Sequence, residues 1–568
     1  MAQAPEDSPA TTEAFVDEAV KHSLALNPMV GLRGRDLVDA AQTFFKAAIG
    51  QPQIAVQQWF SFMGDLGKIV AGESARAAQP GDKRFNDPAW KTSGVHQKVL
   101  QSYLAWGDAV RTFVDKVDLA DQDRARAKLI ADILVDALSP TNGVVSNPAA
   151  LKKLVDTGGE SLWSGLKNFF EDLVRNGGMP SQVDAKPFQV GKNLATTPGA
   201  VVCRTEIFEL IQYKAMTVEV WARPLLIVPP QINKFYSLDL SPDKSLIQFM
   251  LREGFQVFCI SWRNPTAKQR DWGLDTYVEA VDDAVDAVRY VAGCSDITLF
   301  GACSGGITSS AYAAWEAGRG GSKVKNLTLA VCTLDPSTID DTPLGALISP
   351  QTVEAARRAS QVRGLLDGRE LGRVFAWMRP NDLIWNYWVN NYVLGNAPPA
   401  FDILYWNSDT TALSARLHSD YLDLIHTNPF RNPGALTISG TPVDMGKVKL
   451  DAYVVAGVTD HITPWKSVYQ TARILGGGTT FVLSNAGHLQ SLLNPPGNPK
   501  ATFVTGAASS PDSEAFAAGA TKQSGSWWTH WSQWLSTRSG DKVGAPSSLG
   551  NAKFPPGQAA PGAYVFDA

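Results

Sequence analysis

A glycine-rich turn between an apolar strand and a helix is the sequence feature that most constrains the fold. Residues 297–300 form a short apolar segment, residues 301–306 read G-A-C-S-G-G, and residues 307–316 favour a helix. A strand, a G-x-S-x-G turn and a helix in this order make a nucleophile elbow, and here Cys303 replaces the serine. Such a strained turn needs neighbouring residues without side chains, and the glycines meet this need. The turn therefore predicts a cysteine nucleophile at the end of a buried strand.

The same hexapeptide has a simpler interpretation as a turn around a small buried cysteine, the usual environment of a free thiol. The flanking strand and helix favour the elbow. The remaining cysteines lack that context and are predicted to be structural: Cys203, Cys259, Cys294 and Cys332. The odd total of five and the absence of a C-x-x-C pair favour free thiols in a reducing compartment over disulfides or a metal site.

The chain has 568 residues, which is more than one ordinary domain needs. Residues 1–185 place apolar residues at helical intervals and predict a mostly helical N-terminal domain. Residues 186–568 alternate short apolar strands with helices, which is typical of a mostly parallel sheet. Residues from about 334 to 447 interrupt that alternation and are predicted to form a cap. The predicted class is an α/β-hydrolase fold with a cap insertion, preceded by a helical domain.

Charge and composition exclude several functions. The 51 Lys and Arg residues against 55 Asp and Glu residues give a formal net charge of −4, and no basic run suggests nucleic-acid binding. The sequence contains no run of about 18 apolar residues, so it predicts no membrane span. The acidic N-terminus lacks the basic and apolar regions of a signal peptide. These features predict a cytoplasmic enzyme.

An elbow enzyme also needs an acid and then a histidine later in the chain. Asp460 follows a predicted strand at 450–455, and His488 lies on a glycine-containing loop after a predicted strand at 480–483. Because ligands and catalytic groups gather at the carboxyl ends of parallel strands, we predict a triad of Cys303, Asp460 and His488.

Two neighbouring assignments complete the predicted machinery. Asp460 also suits a helix N-cap, a role compatible with catalysis, and His461 is predicted to support the site rather than act as the base. The oxyanion hole should use the amide of Ser304 and one from the loop after residues 225–228. Two prolines at the start of that loop have no N–H, which leaves Gln231 or Ile232, and the predicted site takes Ile232. A cysteine nucleophile forms a thioester, which suits transfer from an acyl-CoA better than hydrolysis, although cysteine hydrolases exist.

Motifs along nearly the whole chain, from about Asn27 onward, resemble the polyhydroxyalkanoate synthases, bacterial acyltransferases that polymerise 3-hydroxyacyl-CoA. The resemblance is closest to the single-subunit synthases of pseudomonads (class II), which prefer medium-chain monomers. The motifs are R-F-N-D-P-A-W at 84–90, V-P-P-Q-I-N-K-F-Y at 228–236, S-W-R-N-P at 261–265, G-A-C-S-G-G at 301–306, M-R-P-N-D-L-I-W-N-Y at 378–387, F-D-I-L-Y-W-N at 401–407, D-H-I-T-P-W at 460–465 and L-N-P-P-G-N-P-K at 493–500.

The resemblance implies a function for each triad member. Cys303 would carry the growing polyester as a thioester, and His488 would deprotonate Cys303. Asp460 would serve the 3-hydroxyl of the incoming monomer, directly or through His488. The implied substrate is (R)-3-hydroxyacyl-CoA, with CoA as the leaving group and neither cofactor nor metal. The family is also cytoplasmic and dimeric and lies on the surface of the polymer granule, with the N-terminal domain assisting dimerisation and granule attachment.

Five further positions are predicted to bind substrate. Arg379 matches a cap position near the CoA and Trp406 a family aromatic near the substrate path, although each has a simpler interpretation as a structural residue of the cap. Cys332, Ala486 and Gln490 flank the machinery and are predicted to tune monomer size. Relatives from pseudomonads more often carry serine in place of Cys332 and Ala486, which leaves the chain-length preference open.

Two other functions remain as alternatives. A hydrolase of the same fold would use water in place of the hydroxyl acceptor, and the choice of cysteine and the apolar cap argue against it. A granule-coating protein without activity is the second alternative, and the intact order of Cys303, Asp460 and His488 argues against it.

Overall fold

The computed structural model of the protein describes residues 25–27, 32–33, 42, 46, 49–337, 350–372 and 380–568. The chain forms two compact units. The first comprises Met1–Lys186, Asp340–Ala356 and Arg373–Phe401, and the second comprises Pro187–Ile339, Arg357–Gly372 and Asp402–Ala568.

The described part of the first unit is mostly helical, as predicted for the N-terminal region. Phe85, Trp90, Leu100, Tyr103 and Val135 form a small apolar core between its helices. Its elements are the short strands β1 (Ala25–Asn27) and β2 (Leu32–Arg33) and the helices α1 (Pro52–Ala71), α2 (Ala89–Thr92), α3 (Gly94–Lys116), α4 (Asp121–Ala137), α5 (Pro148–Asp156) and α6 (Glu160–Arg175).

A later segment of the chain also belongs to this first unit. It is a helix with one α-helical turn (Asn386–Trp388) between two π-helical ones, Asn381–Trp385 and Val389–Val393. The side-chain amide of Asn168 on α6 donates to the carbonyl oxygens of Asn391 and Asn396, each over 2.9 Å. These amide bonds join part of the stretch predicted as a cap, residues 334–447, to the N-terminal helices. Its role as a cap of the catalytic domain stays a prediction.

The second unit is built on a sheet of ten strands, in the spatial order β17-β16-β15-β14-β9-β8-β6-β7-β4-β3. The six strands from β15 to β7 run parallel, and two antiparallel strands extend each edge. The sheet strands are β3 (Gly199–Arg204), β4 (Phe208–Tyr213), β6 (Leu225–Val228), β7 (Val257–Trp262), β8 (Ile297–Ala302), β9 (Val324–Ala330), β14 (Asp451–Gly457), β15 (Thr479–Ser484), β16 (Thr502–Ala507) and β17 (Thr521–Ser524).

Among the described residues of the second unit, three pairs of short strands and ten α-helices lie outside the ten-stranded sheet. Outside the sheet lie β5 (Glu219–Trp221) with β18 (Lys542–Gly544), β10 (Leu365–Leu366) with β11 (Leu413–Ser414), and β12 (Thr437–Ile438) with β13 (Thr441–Pro442), beside the β1–β2 pair of the first unit. The helices are α7 (Leu246–Arg252), α8 (Leu274–Ala292), α9 (Ser304–Gly318), α10 (Pro350–Arg363), which has residues in both units, α11 (Asp402–Ser408), α12 (Ala415–Thr427), α13 (Trp465–Ile474), α14 (His488–Leu492), α15 (Ser513–Gly519) and α16 (Trp527–Ser536).

The apolar pattern explains this architecture. Strands such as β6 are apolar throughout because helices cover both faces of a parallel sheet, and all four residues of β6 are buried. Helix α8 instead buries one face, including Tyr277, Val281 and Val285. Behind the elbow strand, the rings of Phe300 and Trp531 are 5.2 Å apart. The predicted α/β-hydrolase class is confirmed, and across the described residues every helix is too short or too polar to span a membrane.

Candidate active site

Cys303 lies in a sharp turn between β8 and α9, where the sequence predicted an elbow. Its backbone is strained, with φ 50° and ψ −122°, and its N–H donates to the carbonyl oxygen of Ala330 over 2.9 Å. The neighbouring glycines allow close backbone contact. A Cβ on Gly305 would lie 2.3 Å from the carbonyl oxygen of Val228, and one on Gly301 would lie 2.6 Å from the next turn of the helix. The thiol is partly exposed at the N-terminus of α9.

Asp460 and His488 follow the neighbouring strands β14 and β15, and the fold brings them into contact. His488 Nδ1 and Asp460 Oδ2 are 2.7 Å apart, which leaves Nε2 of His488 for another partner. The Cys303 thiol lies near the His488 ring and favours its protonated form. Because parallel strands end at one edge of the sheet, three residues far apart in sequence meet there. His488 is the first residue of α14 rather than a loop residue as predicted.

Thr463 is a member of this cluster that the sequence analysis missed. Its backbone N–H donates to Asp460 Oδ1 over 2.9 Å, and its hydroxyl donates to Asp460 Oδ2 over 2.7 Å. The N–H of Ile462 also donates to Asp460 Oδ1, over 2.9 Å. Asp460 thus accepts bonds at both oxygens, and its side chain is fully buried. The D-x-x-T spacing, typical of an aspartate that caps a turn, is the signal that could have identified Thr463.

The charges of the buried pair support each other. Burial alone would lower the pKa of His488, but the charge and hydrogen bond of Asp460, together with the Cys303 thiol, raise it to about 10. Burial would raise the pKa of Asp460, yet the His488 charge and hydrogen bonds from His488 and Thr463 hold it below its usual value. A thiol beside an imidazole that a carboxylate orients is the arrangement of an activated cysteine nucleophile.

One predicted oxyanion donor is in the helix that follows the thiol, and the other is in the loop after β6. Ser304 begins α9, a helix of 15 residues whose N-terminus favours negative charge. In the loop after β6, the Gln231 N–H already donates to Ser304 Oγ over 3.1 Å. That bond removes Gln231 from the two candidates and leaves Ile232 as the loop amide that the geometry favours.

The structure places the other predicted residues as follows. Trp406 is buried, donates from Nε1 to the Lys234 carbonyl oxygen over 2.7 Å, and belongs to the apolar cluster that Cys303 contacts. His461 is half-buried next to Asp460. Arg379 lies outside the described residues. The contact of any of these residues with substrate stays a prediction.

The three positions predicted to tune monomer size have different environments. Cys332 is fully buried after β9, and a Cβ on Gly306 would lie 2.7 Å from its sulfur. Burial raises the pKa of the Cys332 thiol well above its usual value. Ala486 is half-buried and its carbonyl oxygen accepts the Thr459 N–H over 3.1 Å, whereas Gln490 is exposed on α14. All five cysteines are free thiols.

The chain is similar to two known protein families and to several polymerases. A family described as "Poly-beta-hydroxybutyrate polymerase (PhaC) N-terminus" matches residues 81–250, and one described as "alpha/beta hydrolase fold" matches residues 224–495. "Poly(3-hydroxyalkanoate) polymerase 1" of Ectopseudomonas oleovorans is 50% identical over 550 residues, which are 97% of this chain and 98% of the relative. "Poly(3-hydroxyalkanoate) polymerase 2" of the same organism is 47% identical, over 95% of this chain and 96% of the relative. "Poly(3-hydroxyalkanoate) polymerase subunit PhaC" of Cupriavidus necator is 37% identical, over 94% of this chain and 91% of the relative.

Proposed function

The chain belongs to the poly(3-hydroxyalkanoate) polymerase family and is an acyltransferase, and from this premise we propose that it polymerises (R)-3-hydroxyacyl-CoA through a thioester on Cys303. The observation that carries the proposal is the meeting of three groups at one sheet edge. Cys303 lies at the strained end of β8, and the hydrogen-bonded pair of Asp460 and His488 follows β14 and β15. Polymerisation by a covalent route needs an acyl carrier and a group that moves protons, and this cluster contains both.

The first step of the proposed cycle loads the enzyme. The Cys303 sulfur attacks the thioester carbonyl carbon of the substrate, and the proton of the thiol passes to the neutral form of His488, which becomes the imidazolium that Asp460 stabilises. Amides of Ser304 and Ile232 stabilise the oxyanion that forms. The carbon–sulfur bond to CoA then breaks, His488 returns the proton to the CoA sulfur, and the acyl group remains on Cys303.

The second step lengthens the polymer. The 3-hydroxyl of an incoming CoA-bound monomer attacks the carbonyl carbon of the acyl group on Cys303, a new ester bond forms, and the bond to the Cys303 sulfur breaks. His488 takes the hydroxyl proton and returns it to the Cys303 sulfur, which then takes up the lengthened chain by attack on its CoA thioester, as in the first step. We place Asp460 behind His488 rather than on the hydroxyl, because its buried oxygens are already occupied by His488, Ile462 and Thr463. The proposed cycle uses groups of the protein and of the substrate, without a cofactor or metal.

A single assay tests the polymerase against the hydrolase alternative. Purified protein is incubated with 3-hydroxydecanoyl-CoA, and both CoA and the acyl product are measured. We expect CoA release matched by polyester, with the Cys303→Ala variant releasing neither. Release of CoA with only the free 3-hydroxy acid would overturn the proposal, since water would then be the acceptor.

We propose medium-chain monomers as the preferred substrates. The motif resemblance to the pseudomonad synthases supports this choice, and identities of 50% and 47% to two polymerases of Ectopseudomonas oleovorans agree with that resemblance. The test compares kcat/KM on 3-hydroxyacyl-CoAs with four-carbon and ten-carbon acyl groups. A higher value on the ten-carbon substrate is expected, and the reverse order would contradict the proposal.

We further propose that the protein acts in the cytoplasm on the surface of the polymer granule. Helix α6 exposes Trp163, Leu166 and Phe170, which lie three and four residues apart and so share one face. Helix α1 exposes Trp59 and Phe60. Contiguous exposed apolar side chains mark a contact surface, and a polyester granule offers an apolar partner.

A homodimer is the last part of the proposal and rests on the family resemblance. Sedimentation equilibrium of the purified full chain, with and without substrate, tests it. We expect the mass of a dimer. A strictly monomeric protein during polymer synthesis would contradict the proposal.

A further inference from the structure

The loop that carries Ile232 has a backbone conformation that its surroundings must hold. The loop follows β6, and Asn233, directly after Ile232, has φ 66° in the left-handed region. Asparagine tolerates that region better than most residues, but the conformation still requires support. The direction of the Ile232 amide depends on this support, because the flanking peptide groups set the angle of its N–H.

One hydroxyl group from the cap segment supports both neighbours of Ile232. Thr411 Oγ1 donates to the Gln231 carbonyl oxygen over 2.8 Å and accepts the Asn233 N–H over 2.7 Å. Thr411 is buried, so water does not readily replace these bonds. Its hydroxyl therefore bridges the backbone on both sides of the Ile232 residue.

The rest of the same segment holds the following part of the loop. Trp406 Nε1 donates to the Lys234 carbonyl oxygen over 2.7 Å. Asp409 pairs with Lys234 Nζ and accepts the Tyr236 hydroxyl, each over 2.8 Å. Residues 406–411 thus form a clamp on the loop after β6, and Thr411 is the member that bonds on both sides of Ile232.

A second network holds Gln231 from the opposite side. Its side-chain nitrogen donates to Thr308 Oγ1 over 2.9 Å, and its side-chain oxygen accepts the Tyr421 hydroxyl over 3.0 Å. Gln231 is therefore tied to the elbow helix α9 and to α12. The planar peptide group that contains the Ile232 N–H also contains the Gln231 carbonyl, so the bond from Thr411 to that carbonyl oxygen sets the direction of the Ile232 N–H. The bond from Asn233 to Thr411 holds the next peptide group.

We propose that Thr411 is a positioning residue that aims the Ile232 amide at the oxyanion formed on the substrate carbonyl. The inference rests on the proposed function, because it requires that Cys303 attack a thioester carbon next to this loop. Thr411 itself does not touch the reacting atoms. Its hydroxyl acts by holding the donor in place before the charge develops, which avoids reorganisation during the reaction.

The test uses Thr411→Val, which keeps the shape and removes the hydroxyl, and Thr411→Ser, which keeps the hydroxyl. Decanoyl-CoA has no 3-hydroxyl and can only load the enzyme, so the burst of CoA reports a single acylation. We expect Thr411→Val to slow the burst about 10- to 100-fold, since misplacing one oxyanion donor has effects of that size. Thr411→Ser should retain a burst rate within about threefold of the unmodified protein.

Two further readouts separate positioning from a general loss of structure. The burst amplitude counts loaded sites, and we expect the folded fraction of Thr411→Val to give the same amplitude per site. A thioether analogue of the substrate has no carbonyl to polarise, so its Kd should be unchanged. An unchanged burst rate in Thr411→Val would overturn the proposal, and so would an equal loss in Thr411→Ser or a parallel loss of thioether binding.

A failure of the proposed function has a different signature. Mass spectrometry of the unmodified protein after decanoyl-CoA addition should find the acyl group on Cys303. Its absence there would overturn the proposed function, whereas its presence with an unaffected Thr411→Val would overturn only the positioning role. Thr411→Ala removes the same hydroxyl and replaces Thr411→Val if the valine variant does not fold. If Thr411→Val and Thr411→Ala both failed to fold while Thr411→Ser folded, the hydroxyl of Thr411 would be required for folding. That outcome would also overturn the proposal.

Discussion

The two units differ in the environment of several tryptophan side chains. In the second unit Trp527, Trp528 and Trp531 are at most 1% exposed and form part of the core under the elbow strand. In the first unit Trp59 is 60% exposed and Trp163 is 73% exposed. Burial of a large apolar side chain stabilises a fold by about 1.5–3 kcal/mol, so exposed ones contribute little to folding. The contrast indicates that one unit holds chemistry in fixed geometry, while the other presents a surface.

The strongest test of that contrast removes the nucleophile. Cys303→Ala should abolish polymerisation, by more than about 10⁴-fold, because no acyl carrier remains. Cys294→Ser is the matched control, since Cys294 is a partly exposed thiol outside the site and its loss should leave turnover intact. Both variants are measured by CoA release and by polymer accumulated in cells. Full accumulation with Cys303→Ala would show that the chemistry lies elsewhere.

The next largest effects concern the two groups behind the nucleophile. His488→Gln removes the proton carrier and should reduce turnover by about 10³–10⁴-fold or more, and Asp460→Asn should cost about 10³-fold through loss of the charge that orients the imidazole. His461→Gln is the comparison within the same loop and should only slow the enzyme. Steady-state rates on 3-hydroxydecanoyl-CoA decide the order. Equal losses of turnover for His461→Gln and His488→Gln would contradict the assignment of His488 as the base.

The parts of this site that follow local sequence patterns could be predicted from the sequence. The parts that depend on long-range contacts could not. The elbow at Cys303 was predictable because strand, turn and helix are adjacent in the chain, and Asp460 and His488 because each follows an apolar strand. Thr411 was not predictable, since it contacts Gln231 across 180 positions of sequence. No local pattern in either segment encodes that meeting.

The same limit applies to the fold. Apolar runs predicted the parallel strands and the class of the second unit, since burial on both faces leaves a direct trace in the sequence. The cap was predicted as one insertion because the alternation of strands and helices stops there. Asn168 binds residues of that stretch 223 and 228 positions away, and pairings at such separations have no local signature.

The buried pair predicts a pH dependence of stability in the second unit. The folded pKa of His488 is raised to about 10 by Asp460, and an unfolded histidine titrates near 6.5. A raised pKa means that the folded chain binds the proton more tightly. The stabilisation is therefore fully present below about pH 6.5 and is lost as the pH rises through about 10. Urea unfolding across this range should show a difference between the unmodified protein and His488→Gln that shrinks with increasing pH.

The control for this series replaces His426, an exposed histidine on α12, by glutamine. That variant should follow the unmodified protein at every pH. A difference between the unmodified protein and His488→Gln that grows on going from pH 6.5 to 10 would contradict the assigned direction of the shift. It would mean that burial, which lowers the pKa of His488, outweighs the charge of Asp460.

The smallest effect belongs to the exposed face of the first unit. Replacing Trp163 and Phe170 together by glutamine should lower the fraction of protein bound to isolated polymer granules by about tenfold, since 1.4 kcal/mol of lost apolar contact has that effect on a partition. Tyr290→Gln is the control from the second unit, because Tyr290 is exposed there to a similar degree as Phe170. Co-sedimentation with washed granules measures the bound fraction. If Tyr290→Gln reduced binding as much as the double variant, exposed apolar side chains in either unit would contribute to attachment. The proposal that the first unit carries the granule-binding surface would then be wrong.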